Sequence, residues 1–460
     1  MIQISAKDKE KVLEAIRKGT IAAADVSFPN LIDAIILKMK QEGILELLEK
    51  AFSDKRSDNM NIPFHLIITL FITAKMKIKT SLTDVPFAIT DAETLSEIGW
   101  NIWDNTRSLE EGLMDEGTIR NLLKKYNVEE IIQAYNTYVQ EHVFPTMDIV
   151  PDIHILDCTE LEVKLNNSNY EGSEVISDSE GTRRGYKLST LRGIAGDTGI
   201  LEEIKMGNIK QHDLELSREI ILKSKTLKPG DILINDRGFI SRDVMNQLKQ
   251  ERSVDTYIPL KKNMEAYVQA VSVAKEQNKW NAHPNKKRKT QEVAFVEALG
   301  GHWISAEPEK DVEINACVVH DTKTDEYFVF ITTDLEKSAK QIIGTYELRP
   351  EIEEDYRQIK DFWQIEDFKS TKQNFIAFHI VTVLIGYLYF QLYKDMEEGS
   401  KYVGKSLPVA IKKYVMEGPK SVIIYSGQYF AIFGFLEFIQ LYSSCGTEVK
   451  RCLDPILAKV

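Results

Sequence analysis

The chain has 460 residues, of which 43% are hydrophobic and 28% are charged. These proportions are typical of a soluble globular protein with two or three domains, and no low-complexity segment interrupts them. The formal net charge of −12 argues against a nucleic-acid partner unless the basic residues are clustered. They are clustered, because residues 261–290 carry eight Lys and Arg against two Asp and Glu.

The first 150 residues show the periodicity of amphipathic helices in the segments 7–18, 30–51, 64–77 and 117–143. We therefore predict an all-α N-terminal domain over residues 1–150 that binds DNA. The stretch 116–135 has the form of a helix-turn-helix, although helix packing explains the same pattern. The N-terminal residues are charged and amphipathic, unlike a signal peptide, and the four cysteines lack Cys-x2-Cys spacing. Both features predict a cytoplasmic protein with reduced thiols.

From residue 151 the pattern changes to strands and helices in the order β-β-β-α-β-α-β. This order predicts a mixed sheet covered by helices, and it resembles an RNase H-like core. We assign residues 151–262 to the first part of that core. Residues 263–335 begin helical and basic and then alternate as strands, with a hairpin turn at 321–325, which predicts an inserted β-rich subdomain. The predicted fold class is thus mixed α/β.

The second part of the core is predicted over residues 336–395. It contains an apolar run, residues 375–393, that is about long enough to span a bilayer. The run includes His379 and Gln391 and has no counterpart of similar length, so a buried core helix is favoured over a membrane segment. Residues 396–460 are predicted to form a helical region, with apolar material for dimerisation.

Three carboxylates stand out in this core, and we call Asp157, Asp236 and Glu353 the acidic triad. Asp157 lies within an apolar strand, where an acid is costly unless it is paired or bound to a metal. Asp236 follows a strand, at the end where α/β sheets place ligand-binding groups. Carboxylates from separate elements suit hard cations such as Mg²⁺. Alternative acids are Glu160 for Asp157, Asp231 for Asp236, and Glu354 or Asp355 for Glu353, and a strand-end Asp also commonly caps a turn.

The segment 345–360 contains Tyr346, Arg349, Glu353 and Lys360. In one continuous helix these four side chains lie within a stripe about 60° wide. Glu353 is then placed to bind a metal ion while the cations and the phenol hold phosphate oxygens. Pro350 leaves an alternative open, because a helix that begins or bends at proline separates Tyr346 and Arg349 from this stripe.

The spacing Tyr-x2-Arg-x3-Glu-x6-Lys, with the motifs around the two aspartates (hydrophobic-Asp-x-Thr and Asp-Arg-Gly-aromatic), resembles the YREK signature of insertion-sequence transposases with a DDE active site. The resemblance implies two Mg²⁺ ions, replaceable by Mn²⁺, held by the acidic triad. It also implies cleavage of double-stranded DNA at element ends and strand transfer of the 3′-OH. We expect DNA contacts from Tyr346, Arg349 and Lys360, with Arg237 and Lys187 as further candidates.

The implied partners are transposon ends, target DNA and a second copy of the chain, in the cytoplasm and without a membrane. Two other functions remain open at this point. One is an RNase H-like nuclease without strand transfer, although the helical N-terminal region argues against it. The other is a domesticated DNA-binding protein without catalysis, which the presence of all three acids disfavours.

Overall fold

A computed structural model describes the chain over residues 6–27, 30–56, 62–79, 81–89, 92–99, 114–179, 181–196, 198–417, 421–427 and 429–457. The chain forms two compact units. The first combines Met1–Ala134 with Ile359–Val460, and the second is Tyr135–Gln358. The division of the chain into five functional segments stays a prediction.

The strands, in chain order, are β1 Ala6–Lys7, β2 Ala23–Ser27, β3 Ile153–Val163, β4 Glu174–Asp178, β5 Gly181–Ala195, β6 Thr198–Asn208, β7 Ile232–Asn235, β8 Asp255–Pro259, β9 Asn281–Ala282, β10 Gln291–Val296, β11 Asn315–Asp321, β12 Glu326–Thr332, β13 Ser421–Ser426 and β14 Tyr429–Gly434.

The helices are α1 Lys9–Lys18, α2 Leu31–Gln41, α3 Leu48–Ala51, α4 Phe64–Met76, α5 Ala92–Glu97, α6 Glu116–Leu123, α7 Val128–Thr137, α8 Phe144–Met147, α9 Asp213–Lys223, α10 Arg242–Arg252, α11 Glu265–Gln277, α12 Ala339–Tyr346, α13 Pro350–Asp361, α14 Gln373–Asp395, α15 Leu407–Glu417, α16 Phe435–Ser444 and α17 Thr447–Leu457.

The second unit is built on one mixed sheet, which confirms the predicted α/β class. Its central strands lie in the order β6-β5-β3-β7-β8. The three strands β3, β7 and β8 are parallel, while β5 is antiparallel to both β3 and β6. Along the chain these are the third, second, first, fourth and fifth strands of the predicted core. This is a mixed sheet, as the β-β-β-α-β-α-β order predicted.

The two faces of this sheet have different roles, because successive side chains of a strand point to opposite faces. On one face, Leu156 and Leu233 belong to an apolar core that also includes buried side chains of α9, α10 and α11. Asp157 lies on the other face, where Tyr356 of α13 donates a hydrogen bond to its carbonyl oxygen at 2.9 Å. The face of Leu156 and Leu233 therefore anchors the sheet on these helices, and the α13 face carries Asp157.

The predicted insertion is β-rich, and its hairpin turn lies between β11 and β12 as expected, with Asp321 opposite Glu326. Its strands extend the central sheet, because β12 pairs with β8, and β11, β10 and β9 follow outward. The insertion is thus continuous with the core sheet. Strand periodicity predicts which side chains point to each face of a sheet, but it does not indicate which strands are neighbours in that sheet.

The first unit is mostly helical, but it contains a four-stranded sheet in the order β1-β14-β13-β2. The strands β1 and β2 correct the expectation of an all-α N-terminal domain. The C-terminal region, predicted to be helical, contains β13 and β14 as well as helices. β1 and β2 are too short to show a period, and a short apolar run such as Val422–Tyr425 does not distinguish strand from helix by periodicity. The helices predicted within residues 7–143 are otherwise present.

The apolar run of residues 375–393 forms α14, which packs against α2 and α4. It is long and apolar enough to cross a membrane, and it alone passes that test within the residues described above. Its apolar window is 94% buried inside the protein. This burial is typical of a core helix and agrees with the prediction from sequence.

Candidate active site

Asp157 lies in the middle of β3, and its side chain is only 13% exposed. One carboxylate oxygen accepts a hydrogen bond from the backbone N–H of Cys158 at 2.8 Å. Burial raises the pKa of Asp157 to about 6, with the charge of Arg349 opposing the shift and the charges of Asp236 and Glu353 adding to it. The carboxyl group is therefore in the electrostatic range of both other members of the triad.

Asp236 follows β7 and precedes a short 3-10 turn, Arg237–Phe239. Its backbone carbonyl accepts the N–H of Phe239, but its side chain makes no capping hydrogen bond. The carboxylate is 36% exposed, and one oxygen lies 3.8 Å from Nη2 of Arg349. The interpretation of Asp236 as a turn cap is thereby excluded, and its side chain is available for another role.

Glu353 lies in the first turn of α13 and is 54% exposed. Its Oε1 accepts a hydrogen bond from Nη1 of Arg349. Nη2 of the same arginine donates to Oδ2 of Asp157 at 2.9 Å. Since Asp157 and Asp236 both approach Nη2, their nearest carboxylate oxygens are separated by at most about 6.7 Å, the sum of the two distances. The structure thus brings the acidic triad together around one guanidinium group.

Arg349 reaches this position because the predicted single helix is interrupted. α12 ends at Tyr346, and α13 begins at Pro350. Proline has no N–H and its ring clashes with a preceding helical turn, so it starts a helix readily but does not continue one. The prediction that all four signature side chains share one helical stripe is therefore wrong for Tyr346 and Arg349. The alternative, a helix that begins at Pro350, is correct.

The alternative acids are all engaged elsewhere by cationic side chains. The four pairs are Glu160 with Arg183, Asp231 with His154, Glu354 with Arg357, and Asp355 with Arg192. The acidic triad, by contrast, shares one cation among three carboxylates from three separate elements. The geometry therefore favours the triad over each of its sequence alternatives.

The other predicted residues lie in different environments. The Tyr346 ring packs on Phe330, with ring centroids 4.7 Å apart. Burial raises the pKa of the Tyr346 hydroxyl, and the charge of Asp236 adds to the effect, which indicates that the hydroxyl lies near the triad. Lys360 lies in the last turn of α13 and forms an ion pair with Glu366 at 3.6 Å.

Lys187 is not brought to the triad. It pairs across the strands with Glu160, three residues from Asp157, and so lies on the opposite face of the sheet. Its Nζ lies 2.7 Å from Asp213 and donates to the carbonyl of Gln211 at 2.8 Å. These contacts favour an ion pair within the fold.

Two cavities flank Arg349. The first has a volume of about 420 Å³, and Tyr346, Phe330 and Arg288 are among its lining residues. The second has a volume of about 330 Å³ and is lined by Asp236, the exposed Arg237 and Lys262, among others. Space lined by cations and aromatic rings therefore opens beside the acidic triad.

Sequence reasoning missed the contacts of two residues, Arg192 and Tyr356, that position α13. Arg192 on β5 binds Asp355 at 2.7 Å and Glu351 at 2.9 Å. Tyr356 holds the backbone of Asp157, as described above. The apolar spacing of Ile352, Tyr356 and Ile359 is a helix-face signal that identifies Tyr356 as an inward residue, although it does not reveal the hydrogen bond.

The donor set fits a divalent metal ion. Within the described ranges, no three His, Cys, Asp or Glu side chains are already arranged close enough to coordinate one ion. The acidic triad instead gathers around the Arg349 guanidinium, whose Nε is buried without a hydrogen-bond partner. Three carboxylates against one cation leave a negative excess, and carboxylate oxygens are the ligands that hard divalent cations prefer. The residues present are thus suited to such ions.

The family model described as transposase DDE domain matches residues 150–389, which is more than half of the chain. The matched span includes the acidic triad, Arg349 and the strands that extend the central sheet. Comparison with curated proteins gives no match to this chain.

Proposed function

Because this chain belongs to the transposase DDE domain family, we propose that it is a DNA transposase of the group with the YREK signature. It cleaves double-stranded DNA at the ends of an insertion sequence and joins the 3′-OH to target DNA. The observation that carries the proposal is the convergence of the acidic triad, from β3, the end of β7 and α13, around one guanidinium.

The chemistry requires little covalent assistance from the protein. Phosphodiester transfer needs an aligned nucleophile and positive charge near the oxygens that gain negative charge. Asp157, Asp236 and Glu353 would hold two Mg²⁺ ions, or Mn²⁺, which supply that charge and lower the pKa of a bound water. Asp157 is largely shielded from solvent, and this would strengthen the attraction between its carboxylate and a divalent cation, since a lower local dielectric increases electrostatic energies.

The remaining signature residues would hold the DNA strand. Arg349 is suited to phosphate because a guanidinium donates two parallel hydrogen bonds to paired oxygens. Tyr346 and Arg237 line the cavities beside the triad, so each can meet a strand that enters there. Lys360 would contact the phosphate backbone of the DNA. This role follows from its place in the signature, on the same helix as Glu353.

The direct test is metal-dependent nicking of supercoiled plasmid DNA by the purified protein. Ala at any position of the acidic triad should abolish nicking while DNA binding persists. Glu354→Ala, on the same helix but paired with Arg357, is the matched control and should retain activity. Full nicking by all three triad variants would refute the assignment, and DNA binding without nicking by the wild type would favour a domesticated DNA-binding protein.

Strand transfer requires a second substrate. The ends of an insertion sequence flank its own gene, so DNA from both sides of this coding sequence is the appropriate probe. Joined products with a target plasmid would support a transposase, and cleavage without joining would support a nuclease. Concerted joining of two ends requires two active sites, and two-fold symmetry is the commonest solution. Light scattering with end DNA should therefore show two chains per complex.

A further inference from the structure

Arg349 has contacts that a role in phosphate binding does not explain. Its guanidinium approaches all three carboxylates of the triad, and only 18% of its side chain is exposed. Arg237, by contrast, follows Asp236 directly and is exposed. An arginine that only awaited DNA would be expected in the exposed state, where water satisfies its donors.

We propose that Arg349 is the internal counter-ion of the acidic triad before metal binding, and that it transfers to a DNA phosphate when the triad binds divalent cations. The inference rests on the proposed function, since it requires the triad to be metal ligands. It assigns Arg349 two successive partners, so that metal binding releases a group that holds DNA.

The charge balance of the triad supports the first half of this proposal. Carboxylates that lie within several ångströms of each other repel, and the repulsion is stronger at half-buried positions than in water. The guanidinium offsets one of the three negative charges and donates a hydrogen bond to both Asp157 and Glu353. It therefore keeps the ligands close together while leaving enough negative charge to attract a divalent cation.

The position of Arg349 supports the second half. It lies between α12 and α13, outside both helices, so its long side chain is not constrained by a helical rotamer. It also lines both cavities beside the triad. The guanidinium can thus leave the carboxylates through adjacent space while the helices that carry Tyr346 and Glu353 stay in place.

The first experiment measures Mn²⁺ binding by isothermal titration calorimetry without DNA. Arg349→Gln should bind Mn²⁺ about tenfold more tightly than the wild type, because the charge-assisted hydrogen bonds to Asp157 and Glu353 no longer have to be broken. Arg357→Gln is the matched control, since it removes a cation from the same helix that pairs with Glu354. Its affinity for Mn²⁺ should equal that of the wild type.

Equal or weaker Mn²⁺ binding by Arg349→Gln would overturn the inference while leaving the triad as metal ligands. Absence of Mn²⁺ binding in the wild type would overturn the proposed function as well, so the two failures are distinguishable. If Arg349→Gln does not fold, Arg349→Lys replaces it, because a compact ammonium group lacks the two separate nitrogens through which the guanidinium contacts Glu353 and Asp157. Its Mn²⁺ affinity should then lie above that of the wild type.

The second experiment measures the salt dependence of binding to a short DNA duplex, with and without Ca²⁺, which disfavours cleavage. The measured quantity is the slope of the logarithm of the DNA-binding constant against the logarithm of the salt concentration. In the wild type, adding Ca²⁺ should make this slope steeper by about one unit, the value expected for one additional phosphate contact. Arg349→Gln should show no such gain. An equal gain in both proteins would refute the transfer of Arg349 to phosphate.

Discussion

Two charge clusters in the same unit differ in how fully they are enclosed. The first is the acidic triad with Arg349. The second is His154, whose Nδ1 lies 2.6 Å from Glu202 and whose Nε2 lies 3.1 Å from Asp231. His154 and Glu202 are fully buried, whereas Glu353 of the triad is 54% exposed.

The difference in enclosure separates a cluster that stabilises the fold from a cluster whose cation can be exchanged for another. Removing one partner from an enclosed ion pair leaves an uncompensated buried charge, which is strongly destabilising. An open cluster can replace one cation by another from solvent at much lower cost. The His154 cluster is therefore suited to hold β3, β6 and the approach to β7 together, and the triad is suited to bind metal ions.

The largest expected effect on stability comes from His154→Ala. The change leaves Glu202 and Asp231 buried without their cation and should lower the free energy of unfolding by about 3–5 kcal/mol, as measured by urea denaturation. His320→Ala is the control. His320 also lies between two carboxylates, but its partner Asp325 is 83% exposed, so the cost should be about 1 kcal/mol or less. Similar costs for both variants would show that enclosure is not the deciding factor.

The pH dependence of stability should also distinguish the clusters. Burial alone would lower the pKa of His154, but the charge of Glu202 and the hydrogen bonds with Asp231 and Glu202 outweigh it and raise the pKa to about 9. Because the folded pKa is raised, the stabilisation is complete below about pH 6.5 and is lost as the pH rises through about 9, by up to about 3 kcal/mol. The difference in unfolding free energy between wild type and His154→Gln should shrink over this window, and a constant difference would contradict the assignment.

Tyr356→Phe tests the support behind the triad. It removes the hydroxyl that donates to the carbonyl of Asp157 and should cost about 1 kcal/mol of stability. Because the backbone of Asp157 then loses one constraint, plasmid nicking should fall by a small factor while Mn²⁺ affinity changes little. Unchanged stability and activity would mean that β3 positions Asp157 without this bond.

The smallest expected effect on stability comes from Asp236→Asn. The carboxylate is partly exposed and lies 3.8 Å from Arg349, so its loss should change the free energy of unfolding by less than about 0.5 kcal/mol. Nicking should nevertheless be abolished, because a metal ligand is removed. A large loss of stability would instead place Asp236 with the structural cluster.

Much of the fold was predictable from local pattern. The order of the core strands along the chain follows from runs of apolar residues separated by turns. The start of α10 is local too, because the Ser241 side chain accepts a hydrogen bond from the N–H of Val244. The short strand β4 was missed because its residues are exposed or half-buried, so it has no apolar alternation. The pairing of β1 and β2 with β14 and β13 was missed because partners so distant in sequence leave no periodic signal.

The sequence by itself determined the presence of the three acids and their order along the chain, and it left the interruption at Pro350 open as an alternative, since these depend on residue type and local backbone geometry. Only the tertiary structure decided the cation beside each acid whose partner is distant in sequence, namely Asp157, Asp236, Glu160, Asp231 and Asp355. Glu160, Asp231, Glu354 and Asp355 are chemically equivalent to the triad in sequence, and they differ because folding places another cation beside each of them. Glu354 has its partner Arg357 three residues along the same helix, but the partners of the other acids are long-range information. That information distinguishes the candidate metal ligands from the acids that stabilise the fold.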